Sequence, residues 1–174
     1  MNMSVFDLFK IGIGPSSSHT VGPMVSARRF LTGCGPGQLA AAVGVEVALY
    51  GSLALTGIGH ATDKALILGL MGETPQGVDP EQVDAKLAAI ELDGVVKLLG
   101  KKDVPFRART ALRWHRGSSL PEHPNGMRFT LTLSDGSVIV SRTAGRPGDP
   151  VKGMRDFLLT AAAIGMLCKK NASI

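Results

Sequence analysis

Two segments of this sequence combine glycines, hydroxyl groups and a histidine, the residue types that acid–base chemistry and anion binding need. The first, residues 12–23, reads Gly-Ile-Gly-Pro-Ser-Ser-Ser-His-Thr-Val-Gly-Pro and precedes a predicted helix over residues 24–31. Serines at a helix N-terminus satisfy free backbone N–H groups, and those groups favour an anion. His19 adds a side chain that titrates near neutrality. The segment is therefore either an anion-receiving helix start or an ordinary capped helix with a surface histidine.

The second segment, residues 50–63, reads Tyr-Gly-Ser-Leu-Ala-Leu-Thr-Gly-Ile-Gly-His-Ala-Thr-Asp. It again ends a glycine-rich turn with a histidine flanked by hydroxyl groups. Asp63 follows His60 by three residues, so its carboxylate either orients the imidazole or caps the helix that begins near Lys64. The spacing leaves both alternatives open, but two such segments in one small chain are less easily dismissed as chance.

The composition predicts a folded chain with an ordinary core. The chain has 174 residues, of which 44% are hydrophobic and 19% charged, which suits one domain with an appendage. The formal charge is +5, and its excess lies between residues 97 and 116. The basic residues there are Lys97, Lys101, Lys102, Arg107, Arg109, Arg113 and Arg116, against the single acid Asp103. This run is either a nucleic-acid footprint or a solvated surface, and we expect no nucleic-acid partner because only Phe106 and Trp114 interleave as stacking residues.

Cysteine usage and hydropathy exclude other classes of protein. Cys34 and Cys168 are far apart, so one chain can assemble neither a disulfide framework nor a four-thiolate metal site. No charged and then apolar leader opens the sequence, and we expect a cytoplasmic protein. Residues 157–167 are strongly apolar but too few for a spanning helix, which needs about 20 such residues. They predict a buried helix and no membrane partner.

The periodicity of the chain predicts an α+β fold, an α/β sandwich with a mostly antiparallel sheet and helices on a face. The predicted helices are 24–31, 64–71 and 82–90, and the predicted strands are 43–49, 95–99, 110–115, 128–133 and 138–142. The last two strands flank Asp135-Gly136, a hairpin turn signal. A third polar loop, residues 121–126, precedes the hairpin. Within it Asn125 is either a turn residue or a polar group of the site.

The end of the sequence differs in composition from the rest. Residues 144–149 are rich in Gly, Pro, Arg and Asp, which is typical of a linker or junction. Residues 155–170 are apolar and rich in alanine, and they predict a helix with Lys169 and Lys170 at its C-terminus. Such a helix must dock on the first domain or on a partner.

Three segments of the chain together resemble one known family. Residues 4–10 with 14–24 closely resemble the opening of the bacterial iron–sulfur L-serine dehydratases, also called L-serine ammonia-lyases. Residues 50–63 look like the second signature of that family, and residues 123–129, His-Pro-Asn-Gly-Met-Arg-Phe, look like its third. The three motifs stand in the family's order across residues 4–143, so the resemblance is specific.

The resemblance implies a fold and an activity. Residues 1–143 would form the family's β domain, similar to the allosteric-substrate-binding-like domain of some phosphoglycerate dehydrogenases. Such enzymes convert L-serine to pyruvate and ammonia with a [4Fe-4S] cluster, one iron of which acts as a Lewis acid on the departing hydroxyl while a protein base removes the α-proton. By motif position, the resemblance implies that His60 is the base and that His19 shares the catalytic site. It implies that the substrate-binding residues are Ser16, Ser17, Ser18, Thr20, Asp63 and Asn125.

The chain departs from the family after the first domain. Residues 156–174 resemble a segment from deep inside the helical domain that carries the cluster cysteines, and those cysteines are absent here. We therefore expect a β domain over 1–143, a junction over 144–152, a short helical fragment of the catalytic domain over 153–174, and no metal ligand in this chain. The partners implied are L-serine, a cluster-bearing catalytic domain and further copies in a homo-oligomer. The alternative function is a non-catalytic amino-acid-binding regulatory module.

Overall fold

A computed structural model describes residues 16–121, 125–144 and 157–159 of the chain. After a π-helical turn at Ser17–Val21, the α-helices are α1 (Gly22–Gly33), α2 (Pro36–Ala40), α3 (Ser52–Thr56), α4 (Thr62–Met71), α5 (Pro80–Asp93) and α6 (Ala108–Ala111). A 3-10 turn at Ile58–His60 separates α3 from α4. The strands are β1 (Ala42–Tyr50), β2 (Val95–Leu98), β3 (Lys102–Pro105), β4 (Leu112–His115), β5 (Gly126–Leu133), β6 (Val138–Ala144) and β7 (Phe157–Leu159).

Five strands form one sheet in the order β4-β1-β5-β6-β7, and β2 and β3 form a separate two-stranded hairpin. Three of the four pairings in the large sheet are antiparallel, and β4 pairs with β1 in parallel. The predicted α+β fold with a mostly antiparallel sheet is confirmed. Because β1 and β4 are parallel, their carboxyl ends, Tyr50 and His115, lie side by side at one edge of the sheet.

The alternating sequence of β1 explains why one face of the sheet is covered. Val45, Val47 and Leu49 are buried, whereas Val43 and Glu46 are exposed. The buried side chains belong to one cluster with residues of α1, α4 and β5. Within that cluster the rings of Phe30 on α1 and Phe129 on β5 stack with their centroids 5.3 Å apart. Helices α1 and α4 thus form a layer on the sheet, held by apolar burial.

The layer requires α1 and α4 to approach closely, and Gly69 makes that approach possible. A Cβ added at Gly69 would lie 2.3 Å from the carbonyl oxygen of Met24 and 3.0 Å from the Cβ of Ala27. Real Cβ atoms do not approach backbone oxygen so closely. The absence of a side chain at residue 69 therefore sets the distance between the two helices that carry the histidine segments.

Several predicted elements have different boundaries or a different type in the structure. Residues 52–56, within the second glycine-rich segment, form α3, and residues 102–105, within the basic run, form β3. Thr110 and Ala111 end α6 rather than beginning a strand. The helix predicted over residues 155–170 is wrong at Phe157–Leu159, which pairs with β6 as β7. A short apolar run does not distinguish helix from strand, and the free edge of β6 supplies backbone hydrogen bonds that a sequence pattern does not show.

Other predictions fall outside the described ranges. These include the predicted junction at 144–152, except for Ala144 at the end of β6, and the rest of the C-terminal segment with Cys168, so the domain boundaries stay predictions.

The close approach at Gly69 predicts that Gly69→Ala destabilises the fold by about 1–3 kcal/mol, because the added methyl group forces α1 and α4 apart. This reverses the usual gain when glycine in a helix is replaced by alanine. The measurement is the free energy of unfolding from urea titrations. Gly33→Ala, at the end of α1 with nothing within 4 Å of the added Cβ, is the matched control and should leave stability nearly unchanged. Equal effects of the two substitutions would contradict the proposed packing constraint.

Candidate functional site

The second histidine segment begins where β1 ends, and its backbone turns sharply. Gly51 has φ 61° and ψ −136°, a conformation that only glycine adopts readily, and it directs the chain from β1 into α3. Gly57 then ends α3, and a Cβ there would lie 2.3 Å from the carbonyl oxygen of Leu53 and 2.7 Å from the ring of Trp114. The glycines of this segment therefore allow the tightly packed path from β1 through α3 to His60.

The first segment approaches from the amino end of α1. Ser17–Val21 form the π-helical turn that continues directly into α1, and the hydroxyl of Ser16 accepts a 3.3 Å hydrogen bond from the backbone N–H of His19. The carbonyl of Ser16 accepts from the N–H of Thr20 at 3.0 Å. The predicted serine cap thus exists at this turn. It does not cap α1 itself, whose N-cap Val21 makes no side-chain hydrogen bond.

Two buried threonines join the segments by crossed hydrogen bonds. The hydroxyl of Thr20, next to His19, donates to the carbonyl of His60 at 2.9 Å. The hydroxyl of Thr62, two residues after His60, donates to the carbonyl of His19. Both threonines are fully buried. Each histidine backbone is therefore held by a threonine from the other segment, and the ring centroids of His19 and His60 lie 5.2 Å apart.

The imidazole of His19 is held between two serine hydroxyls. Its Nδ1 lies 2.9 Å from the Oγ of Ser18, and its Nε2 lies 3.2 Å from the Oγ of Ser52. The Oγ of Ser18 lies 3.3 Å from that of Ser16, which extends the hydrogen-bonded chain. At the other end, the backbone N–H of Ser52 donates to Oδ1 of Asn125 at 2.8 Å. Asn125 therefore reaches the site and positions Ser52.

His60, in the 3-10 turn, is oriented by the last residue of the preceding helix α3. Its Nδ1 lies 3.0 Å from the carbonyl oxygen of Thr56. A carbonyl oxygen only accepts, so Nδ1 carries the proton and, in the neutral imidazole, the lone pair is on Nε2. The geometry gives His60 the form that a general base requires.

Burial lowers the pKa of His19, and the nearby His60 lowers it further, because a charged imidazole is poorly solvated and repelled there. A hydrogen bond with the backbone of Ser52 acts in the opposite direction and raises the pKa. The net shift is downward, which keeps His19 neutral near pH 7. A neutral imidazole can both donate and accept hydrogen bonds, as its two serine contacts require.

Asp63 and Ser17 are the remaining predicted site residues. Asp63 lies in the first turn of α4, while the described partner of the His60 imidazole is Thr56. Neither alternative for Asp63 corresponds to a hydrogen bond among the described residues, although an acid there suits the helix dipole. Ser17 contributes backbone to the π-helical turn. His123 and Pro124 lie outside the described residues.

Sequence reasoning did not assign roles to Ser52, Thr56 and Thr62, which make the central contacts of the site. All three lie inside the second glycine-rich segment, so the sequence identifies the segment that contains them. Their partners lie on another element or one helical turn away, and residue spacing does not show those contacts.

The described residues do not fit an iron–sulfur cluster. The described residues include one cysteine, Cys34. Its Sγ donates to the carbonyl of Phe30 at 3.4 Å, at the end of α1. Residues 16–121, 125–144 and 157–159 contain no group of three or more His, Cys, Asp or Glu side chains that could hold a metal ion. In the same ranges, no helix is long and apolar enough to cross a membrane.

Comparison with known proteins identifies the family of this two-histidine α/β sandwich. The family model described as serine dehydratase beta chain matches residues 4–144, and the chain belongs to that family. An L-serine dehydratase of Streptomyces coelicolor is 45% identical over 144 residues, which cover 82% of this chain and 32% of the relative. One from Mycobacterium tuberculosis is also 45% identical over 144 residues, covering 82% and 31%. L-serine dehydratase 1 of Escherichia coli is 41% identical over 143 residues, covering 81% and 31%.

These alignments also show a difference in extent. The matched region spans about a third of the length of the relatives. It contains both histidine segments and Asn125, which therefore belong to the part of the chain that the family shares.

The lowered pKa of His19 predicts a pH-dependent stability. The unfolded chain binds more protons than the folded chain once pH falls through the ordinary histidine pKa of 6.5. The free energy of unfolding should therefore fall as pH drops from above 6.5 to the lower pKa of folded His19. His19→Gln removes this contribution, so its urea-unfolding free energy should depend less on pH across that window. Parallel pH profiles for the wild type and the variant would contradict the assignment.

Proposed function

We propose that this chain supplies the substrate-binding and acid–base half of an L-serine ammonia-lyase. The observation that carries the proposal is the pair of imidazoles: the Nδ1–H of His60 donates to the Thr56 carbonyl, and His19 lies beside it with a lowered pKa. Relatives named L-serine dehydratase share the region that contains both residues. The substrate, L-serine, is taken from those names.

The proposed roles follow from the donors and acceptors present. The hydroxyls of Ser16 and Ser18 can donate to the substrate carboxylate, and the lone pair on Nε2 of His60 can accept the α-proton. Thr20 and Asn125 act indirectly in this proposal, because their described contacts hold His60 and Ser52. Ser17 and Asp63 remain proposed substrate contacts by motif position.

The proposed reaction removes water and then ammonia from L-serine. His60 takes the α-proton, the C–H electron pair becomes a C=C bond, and the C–O bond to the β-hydroxyl breaks. The departing hydroxide takes up the proton from His60 and leaves as water. The resulting enamine becomes an imine, which water hydrolyses to pyruvate and ammonium. The described residues suit carboxylate binding and proton abstraction.

The [4Fe-4S] cluster of the proposed enzyme requires ligands that the described residues do not provide. We therefore propose a cluster-bearing catalytic domain as the partner of this chain, with a homo-oligomer as the form of the assembled enzyme. Without that domain the chain would bind the amino acid and not turn it over. A non-catalytic amino-acid-binding regulatory module is the alternative, and it would use the same serine and histidine contacts.

Two exposed apolar side chains support docking of a partner at this site. Leu55 on α3 is 62% exposed and Ile58 in the following 3-10 turn is 58% exposed. They precede His60 by five and two residues. Burying a leucine or isoleucine side chain contributes about 1.5–3 kcal/mol. A partner domain that covers the His60 segment would bury this apolar pair and exclude water from the reacting groups.

The catalytic proposal is tested by complementation. The chain is mixed anaerobically, with iron and sulfide, with the part of the Streptomyces coelicolor relative that lies beyond the matched region, and pyruvate release from L-serine is followed. We expect turnover with the wild-type chain and a loss of about 10²–10⁴-fold with His60→Gln, because the general base is removed. Arg109→Gln, an exposed substitution on α6, is the control and should keep wild-type turnover.

Calorimetry with L-serine separates the two functions. Binding retained by His60→Gln and weakened by His19→Gln, together with turnover in the mixture, supports the lyase. Binding without turnover, in a mixture whose cluster has formed, supports the regulatory module instead. Failure of the chain and of the mixture to bind L-serine overturns both.

The apolar pair is tested in the same mixture. The double variant Leu55→Ser with Ile58→Ser should raise the dissociation constant of the complex at least about tenfold, which corresponds to a loss of about 1.4 kcal/mol of buried apolar contact. Leu92→Ser is the matched control, because Leu92 is 82% exposed on α5 and is not part of the His60 segment. An unchanged dissociation constant for the double variant would place the partner on another surface.

A further inference from the structure

An aromatic pair lies at the end of the sheet beside the histidine segments. Tyr50, the last residue of β1, is in register with His115, the last residue of the parallel strand β4. Their rings are stacked and nearly parallel, with centroids 4.7 Å apart and 5° between the ring planes. Tyr50 is buried and His115 is half-buried. The pair is therefore an ordered stack that ties the ends of the two strands together.

The stack comes immediately before the turn that delivers Ser52 to His19. Gly51, next to Tyr50, donates its backbone N–H to the carbonyl of Ser118 at 2.9 Å. Ser52, the next residue, donates its N–H to Asn125 and places its Oγ 3.2 Å from Nε2 of His19. Tyr50, Gly51 and Ser52 are thus each held by a residue that follows β3 in the chain. The last of them contacts the candidate catalytic imidazole.

The conformation of Gly51 makes the contacts of Ser52 depend on the stack of Tyr50 on His115. Gly51 has the backbone conformation that only glycine adopts readily, so it offers little steric resistance to rotation. The direction in which the chain leaves β1 must then be set by the contacts on either side. Tyr50 provides the contact before the turn, and its ring partner is His115.

We infer that His115 is a positioning residue of the site, which acts by stacking on Tyr50 and so fixes the turn that holds Ser52 against His19. His115 does not touch the substrate in this account. The inference concerns the same site as the proposed function, but it rests on the contacts of the chain itself, and its test does not require turnover.

A merely structural role for the stack would predict a different result. Loss of the stack would then lower the free energy of unfolding and leave the surroundings of His19 in the folded chain unchanged. A positioning role predicts that the hydrogen bond at Nε2 of His19 changes while the chain stays folded. The readout must therefore be the imidazole of His19.

The experiment uses the uniformly ¹⁵N-labelled chain and long-range ¹H–¹⁵N spectra of the histidine rings across their titration range. The spectrum of His19→Gln identifies the His19 signals. We expect His115→Ala to shift the Nε2 resonance of His19 and to displace its titration midpoint. His115→Phe, which keeps a flat ring against Tyr50, should restore both towards wild type. Arg113→Ala, an exposed change on the same strand and the same sheet face, is the control and should leave them unchanged.

The outcomes separate the two roles. His19 signals unchanged in a folded His115→Ala chain overturn the inference, as does His115→Phe behaving like His115→Ala. If His115→Ala does not fold, Tyr50→Leu removes the stack from the opposite side while keeping apolar volume. That variant should produce the same displacement of His19, and its failure to do so also overturns the inference. Because no substrate is present, an inactive complemented mixture has no bearing on this result.

Discussion

Two crossed hydrogen bonds between threonine hydroxyls and histidine carbonyls are the constraint on which the candidate site depends. Thr20 and Thr62 are buried, so an unsatisfied hydroxyl at either residue would cost about 1–3 kcal/mol. The bonds join segments about 40 residues apart in sequence, one before α1 and one before α4. Since each threonine holds the backbone of the opposite histidine, the distance between the two imidazoles follows from the packing of α1 on α4. The absence of a side chain at Gly69 is thus a condition for the geometry of the site.

The position of the site in the fold has a simple origin. Strands β1 and β4 are parallel, so the segments that follow them leave the sheet at the same edge, and β5 begins there because it runs antiparallel to β1. In sheets with parallel strands, ligand sites form outside the carboxyl ends of those strands. Here that edge collects Ser52 after β1, the segment after His115, and Asn125 before β5. One sheet edge gathers groups from distant parts of the chain.

The local features of the fold could be predicted from the sequence because their causes are local. The alternation of Val43 to Leu49 identifies β1, and Asp135-Gly136 identifies the turn between β5 and β6, where Asp135 accepts from the N–H of Ser137 at 2.8 Å. The two histidine segments are also visible, since glycines and hydroxyl residues mark both. The parallel pairing of β1 with β4 is different, because it depends on which strands meet after the chain has folded.

In the site, residue types were predictable from the sequence, whereas long-range contacts were not. His19, His60 and Asn125 were candidates by residue type, but the Asn125–Ser52 contact joins residues 73 apart, and no local spacing predicts it. The stack of Tyr50 on His115 was not visible either, because it needs the register of the parallel pair. The apolar run that contains Phe157–Leu159 predicts a helix, because the edge strand with which it pairs is not a property of the run itself.

The hydrogen-bonded chain from Ser16 through Ser18 and His19 to Ser52 has a polarity, because each hydroxyl has one proton and neutral imidazole has one. If Nε2 of His19 is protonated, it donates to Ser52, and Ser18 must donate to Nδ1. If Nδ1 is protonated, it donates to Ser18, Ser18 can donate to Ser16, and Ser52 donates to Nε2. An anion that accepts from Ser16 selects the second arrangement and reverses every bond in the chain. Anion binding at Ser16 thereby sets the direction in which the hydroxyl proton of Ser52 points, at the opposite end of the chain of hydrogen bonds.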